Sequence, residues 1–312
     1  MKKILIFLVG LFVCLLLTDI IVSKILTNLY EQNYSGQSGG EINFYLKTQE
    51  TPELLILGNS TARQHIIPDS MPVSAYNLAH NGMRIAFQAG LVSVLEQQQK
   101  LPQKVVLLLV QPEDDFVSDE ILKEFKKLSF YYNKNSYIKS SINALDKHER
   151  IKYLINSYRF NGSIPSLLKN VLRPSNEVTS KKGFSPNIGQ TFDSIRLEKA
   201  IRNHENRIGE AQYMFYVCIS FVNYINAVCK ENNIQLILFS SPKIYLGGGY
   251  QKPYNFIREY SESENIPYLD YSNADLQELK ALSLWADSKH LNRQGASIFS
   301  SILSKDIQKL LQ

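Results

Sequence analysis

The sequence predicts an α/β protein: a mainly parallel sheet with helices on both faces, preceded by one N-terminal transmembrane helix. Three observations carry this. Apolar runs of strand length alternate with longer segments of helical periodicity along most of the chain. One of those runs, residues 105–110, is almost pure Val and Leu, the composition of a strand covered on both faces. The first 23 residues contain an apolar stretch, interrupted only by Asp19, long enough to cross a bilayer.

The N-terminal element comes first. Met1-Lys2-Lys3 is a short basic start, residues 4–17 carry no charge, and Thr18-Asp19 is followed by Ile20-Ile21-Val22. The stretch amounts to about 19 apolar residues, enough for a helix through a hydrocarbon core of roughly 30 Å. Asp19 lies near the far end, where a charge costs less than at the centre. The basic start favours a cytoplasmic N-terminus with the remainder exported. A cleaved signal peptide is the competing expectation, but no small-x-small site follows the run, and Phe12-Val13 before Cys14 does not suit a lipoprotein site. Residues 1–23 are therefore expected as a signal anchor, single-pass in the cell membrane, with the folded body outside. Residues 24–50 follow as a polar stem containing Ser35-Gly36-Gln37-Ser38-Gly39-Gly40, a flexible composition.

The body, residues 51–312, begins with the apolar run Leu54-Leu55-Ile56-Leu57. Further strands are expected at residues 73–77, 105–110, 234–239 and 266–270. Helical patterns fall at residues 83–99, 211–231, 254–264 and 293–311. In such a fold, ligands bind beyond the carboxyl ends of the strands. Residues 113–210 break the rhythm. They are rich in Lys, Asn, Ser and Tyr, and are expected as a partly helical insertion, either an active-site cap or a surface elaboration.

Composition narrows the function classes. The net charge of +5 is mild and scattered, with no basic run interleaved with aromatics, so a nucleic-acid face is not expected. Cys218 and Cys229 lie on one expected helix, about 16 Å apart by its rise, too far to bridge. No Cys/His cluster has metal-ligand spacing. Gly247-Gly248-Gly249 lacks the Lys-Ser/Thr of a phosphate loop and is expected as a plain loop.

Three short motifs carry candidate chemistry. In Gly58-Asn59-Ser60 a glycine allows a tight strand-to-helix turn that displays Ser60 near a helix N-terminus, where backbone N–H groups face an oxyanion. The plainer alternative is a helix cap. In Asn77-Leu78-Ala79-His80-Asn81-Gly82, Gly82 opens a helix and its N–H is a second candidate donor; a simple turn glycine is the alternative. Asp287-Ser288-Lys289-His290 places a carboxylate three residues before an imidazole, just ahead of the last helix. His290 is the candidate base for Ser60, and Asp287 the acid that orients it.

Gly-x-Ser after the first strand, Asn-x-x-x-Asn-Gly near the second, and Asp-x-x-His-Leu-Asn-x-x-Gly-Ala before the last helix together resemble the SGNH (GDSL-type) hydrolase superfamily. The resemblance spans about residues 53–311, apart from the middle insertion. It implies a flavodoxin-like three-layer α/β/α sandwich and ester hydrolysis or acyl transfer. Ser60 is then the nucleophile and an oxyanion donor, Gly82 a second donor, Asp287 the orienting acid and His290 the base. Asn59 stands where the family commonly has aspartate. The family's Gly-x-Asn-Asp block is not evident; Gln111 is the candidate replacement donor. Asn81, Arg63 and Trp285 are candidate substrate contacts, with packing or solvated-surface roles as the alternatives for Arg63 and Trp285. The same alternatives apply to His65, His80 and Arg84.

The function expected from anchor and motifs together is an exported serine esterase or O-acyltransferase, acting through an acyl-enzyme on an acetylated cell-envelope glycan. It needs neither metal nor organic cofactor. Its partners are the membrane, the ester substrate and an envelope acyl-transfer complex. The alternative is a catalytically inactive member of the same fold that binds glycan or supports polysaccharide assembly.

Overall fold

Strand β1 (Leu54–Leu57) is wholly buried and pairs in parallel with β2 (Ala75–Asn77) on one side and β3 (Val105–Leu109) on the other. Strands β4 (Gln235–Ser240) and β5 (Tyr268–Asp270) complete a five-stranded, all-parallel sheet in the order β2-β1-β3-β4-β5. This is the flavodoxin-like order. The chain leaves β1 toward β2, then crosses back to β3, so the winding reverses beside the carboxyl end of β1, where Ser60 follows.

This computed structural model describes residues 1–116, 119–188, 192–205, 215–244, 251–272 and 276–312. The expected loop at Gly247-Gly248-Gly249 and residues 211–214 of the expected fourth-strand approach helix lie outside them. In chain order the helices are α1 (Lys2–Glu31), α2 (Gly40–Lys47), α3 (Ser60–His65), α4 (Ile85–Gln97), α5 (Pro112–Asp115) and α6 (Ser136–Leu145). They continue as α7 (Glu149–Lys152), α8 (Ile164–Leu172), α9 (Ser194–Glu205), α10 (Phe215–Glu231), α11 (Gln251–Ser263) and α12 (Arg293–Leu310).

The described chain forms two compact units: Met1–Lys47 with Phe125–Asn176, and Thr48–Glu124 with Glu177–Gln312. The second unit holds the sheet. Strand side chains alternate between its faces. Leu54, Ile56, Leu107, Ile237 and Phe239 line one face and pack with Ala62 of α3 and Phe299, Leu303 and Ile307 of α12. Their neighbours Leu55, Leu57, Val106, Leu108 and Leu238 point the other way, toward the face where α10 packs on β4 and α4 packs on α10. Helix α4 buries every residue from Ile85 to Leu95, so it is covered on all sides.

The first unit is helical. Residues 24–47, expected as a flexible stem, are instead helix through Glu31 and again from Gly40, and they pack against part of the expected insertion. Tyr30 stacks on Phe130 with ring centroids 3.8 Å apart and meets Phe160 edge-on at 6.2 Å. Gly36 and Gly39 take positive φ (74° and 92°), and a Cβ at Gly39 would collide with the Tyr30 ring. The Ser/Gly run is thus a tight turn under an aromatic ring, not a linker. Helix α1 is long and apolar enough to cross a membrane. Asp19, the acid within its apolar stretch, accepts hydrogen bonds from the backbone N–H groups of Asn156 (2.8 Å) and Ser157 (2.9 Å) and from both their side chains.

Candidate active site

Three sequence-distant segments of the sheet unit meet at the carboxyl ends of β1 and β3. The first is the β1–α3 turn. Gly58 has a φ of 150°, and a Cβ there would lie 2.6 Å from that of Leu109 and 2.9 Å from that of Ala62, so only glycine fits between strand and helix. Its carbonyl accepts from the His80 N–H (2.9 Å) and the Gln88 side chain (2.8 Å). Asn59 caps α3, its side-chain oxygen accepting from the Thr61 N–H at 2.9 Å. Ser60 is the first helical residue, and the N–H groups of a first turn have no acceptor within the helix.

The second segment follows β2. The Asn77 side chain donates to the carbonyls of Ala62 (2.8 Å) and Ile66 (3.1 Å), tying the end of α3 to the strand beside it. The Met83 N–H closes a turn on the His80 carbonyl (3.1 Å), with Gly82 at its third position and a φ of 68°. That is the position a type II turn reserves for glycine. Asn81 and Gly82 are both exposed.

The third is the loop before α12. The Asp287 carboxylate accepts from the Lys289 N–H (2.8 Å) and the His290 N–H (2.9 Å), folding the loop back on itself. The Ala286 N–H donates to the His290 carbonyl (2.8 Å), and Trp285 and Leu291 form an antiparallel bridge. Asn292 caps α12 through Gln294 and Gly295. A Cβ on Gly295 would lie 2.3 Å from the Leu284 carbonyl. The order His-Leu-Asn-x-x-Gly is therefore that of a bridge, a cap and a close backbone approach.

The fold brings Ser60, His290 and Asp287 together. Ser60 Oγ lies 2.9 Å from His290 Nε2, and His290 Nδ1 lies 2.9 and 3.1 Å from the two Asp287 oxygens. With Asp287 ionised, Nδ1 carries the hydrogen and Nε2 is left to accept from Ser60. Burial alone would raise the Asp287 pKa. The hydrogen bond and charge of His290, with the two loop amides, outweigh it and hold the carboxyl below its usual range. Such a chain suits proton removal from a serine hydroxyl.

Two expected roles need correction, and for a third residue, Trp285, the packing alternative holds. Gln111 does not present its amide to an oxyanion: its side chain accepts from Asn59 and donates to Thr61 Oγ1 (3.2 Å), bracing the α3 cap. Arg63 is buried and donates to the Ala79 carbonyl (3.1 Å), so it is no surface ligand for an anionic sugar. Trp285 is only 1% exposed and donates to the Leu279 carbonyl (2.9 Å), a core residue and not a sugar platform.

Two residues gain roles that the sequence did not signal. His65, at the end of α3, is buried with its ring centroid 6.3 Å from that of His290. Its Nε2 accepts from the Leu291 N–H (2.8 Å), so Nδ1 carries the hydrogen and donates to Ser241 Oγ (2.7 Å). It pins the backbone directly after His290. Burial first, then the charges of His290 and Lys243, push its pKa well down, against the opposing pull of Asp287. Lys243, just beyond β4, is largely covered, its side chain 9% exposed, and pairs with Glu113, whose other oxygen accepts from Tyr254 Oη at 2.7 Å. Nearness of His65 to Ser60 in the sequence was the sole available hint; for Lys243 there was none.

No protein-family model matches this chain, and no curated protein matches its sequence. Among solved structures, the chain is similar to the crystal structure of a putative acylhydrolase from Bacteroides fragilis, at a TM-score of 0.38 and 11% identity, over 86% of this chain and 94% of that one.

Proposed function

We propose that this chain is a membrane-anchored serine esterase or O-acyltransferase of the SGNH type, acting on an acylated cell-envelope glycan. The observation that carries the reading is the contact chain Ser60–His290–Asp287 at a sheet's carboxyl edge, with spacings of 2.9 Å at both links. Ser60 Oγ attacks the ester carbonyl carbon while His290 Nε2 takes the hydroxyl proton. The carbonyl oxygen becomes an oxyanion facing the N–H groups of Ser60 and Gly82. Collapse expels the alcohol, which receives the proton back from His290, and leaves an acyl group on Ser60. Water or a sugar hydroxyl then repeats the sequence in reverse, again using His290 as base. Asp287 stays ionised throughout and stabilises the imidazolium. The apolar N-terminal helix supports an envelope location, with the sheet unit on the outer side.

The second reading is an inactive glycan-binding subunit of the same fold. What favours it is Gln111, whose amide is committed to Asn59 and Thr61, leaving two candidate oxyanion donors where the family pattern has three.

One experiment separates them. Full-length protein in detergent is given a chromogenic acetyl ester and a serine-reactive phosphonate. Turnover and labelling, both lost in Ser60→Ala by roughly 10⁴-fold or more, are expected for the enzyme. Polysaccharide binding with neither turnover nor labelling would make the binding subunit the correct reading.

A further inference from the structure

The segment that ends the short helix α7 exposes three large apolar side chains: Ile151 is 61% exposed, Leu154 74% and Ile155 55%. Single exposed apolar residues are ordinary; three in five positions are a patch. The next two residues, Asn156 and Ser157, donate to Asp19 of α1, and Arg159 donates to Ser23 Oγ at 2.9 Å. The patch is therefore held beside α1 at the level of Asp19.

That level lies within the exposed apolar length of α1. Ile20, Ile21, Val22 and Ile25, past Asp19, are exposed as well, at 39% or more. From Ile4 to Val22 the helix is about 28 Å long, close to a hydrocarbon core of roughly 30 Å, and the exposed Lys24 follows, so the patch lies toward the end of the span. Ile151, Leu154 and Ile155 thus continue an apolar belt laterally from the span. Around them Lys147 and Arg150 are exposed, with Asp146 exposed beside them and Lys152 paired with Glu149 at 2.7 Å; the two cations outside that pair are of the kind that meets lipid phosphates. Asp19, the apparent flaw in the span, is the acceptor that fastens this segment to it.

We infer that residues 151–155 form a second membrane contact, a foot whose apolar side chains enter the interface of an anionic bilayer beside the anchor. The inference rests on the anchor reading of α1. A single helix leaves a protein free to tilt and rotate about its axis. A lateral foot fixes the helical unit in one orientation on the lipid surface.

Nitroxide accessibility on the full chain, in nanodiscs containing phosphatidylglycerol, tests this. Cys14 is exposed on α1 while Cys218 and Cys229 are buried, so the native chain labels within the span. In a Cys14→Ser background, Leu154→Cys and Ile155→Cys report the foot. Glu31→Cys reports a point six residues past Ile25, about 9 Å farther along the helix. Collisions with oxygen relative to a water-soluble nickel chelate are expected to be several-fold higher at positions 14, 154 and 155 than at 31. If position 14 behaves like 31, the anchor reading itself falls. If 14 is lipid-like while 154 and 155 match 31, the foot is wrong and the anchor stands. Low access to both reagents at 154 and 155, or dipolar broadening that dilution with unlabelled protein removes, would mean that protein covers the patch, and would equally overturn the proposal.

Discussion

Asp287 in the sheet unit and Asp19 in the helical unit are built alike and do different work. Each carboxylate accepts two backbone N–H groups. Asp287 takes both from its own loop, which other contacts also shape: the Ala286–His290 hydrogen bond, the Trp285–Leu291 bridge and the Asn292 cap. Its remaining capacity goes to an imidazole. Asp19 takes its donors from residues 137 and 138 positions away and is itself the tie. A carboxylate that completes an already determined loop is available for chemistry. One that closes the fold is not.

The comparison is most sharply broken at Asp287. In Asp287→Asn the loop keeps an acceptor for its amides, but the side chain no longer neutralises a protonated His290 or enforces its tautomer. Turnover of a chromogenic ester is expected to fall by roughly 10³- to 10⁴-fold, with the thermal midpoint close to the parent's. Asp287→Asn protein that unfolds at markedly lower temperature would mean that Asp287 is as structural as Asp19.

At Asp19 the effect reverses in kind and shrinks. Asp19→Ala leaves the Asn156 and Ser157 N–H groups without their acceptor, a loss of about 1–3 kcal/mol. Faster amide exchange at residues 156 and 157 is expected, with ester turnover unchanged per folded molecule. Unaltered exchange would show that α1 and the 3-10 turn Asn156–Phe160 are held by their other contacts, the Tyr30–Phe160 edge and the Arg159–Ser23 hydrogen bond.

The two units also differ in how far the sequence discloses them. β1 and β3 are visible as apolar runs because burial on both faces leaves no other composition open to them. The Trp285–Gly295 turn is visible because its bridge, cap and glycine all lie within eleven residues. The helical unit has no such locality. Tyr30 on Phe130, Asp19 on Asn156 and Ser38 on Ser166 are pairings across a hundred residues or more, between a stretch that looks like a stem and one that looks like a polar insertion. Trp285 and Arg63 stay ambiguous in the sequence for a related reason. A residue type that can face solvent or core takes its place from a partner, here the Leu279 and Ala79 carbonyls, and only the fold supplies it.

His65 gives the smallest and most specific effect. A histidine kept neutral by burial has its folded-state pKa lowered, so its stabilising contribution is complete above the unfolded-state value of about 6.5. Below that pH the unfolded chain binds a proton that the folded chain refuses, and the contribution is lost as pH falls toward the folded value. The absolute stability curve mixes this with every other titrating group, but the gap between parent and His65→Asn isolates it. Asparagine is expected to be destabilising near neutral pH, since it shortens the reach to the Leu291 N–H. The gap in urea stability should then narrow between pH of about 6.5 and 5, by at most about 1.4 kcal/mol per unit. A gap independent of pH would mean that the folded chain protonates this ring as readily as the unfolded one. An imidazolium cannot accept from the Leu291 N–H, so that result would also remove the contact that positions the backbone behind His290.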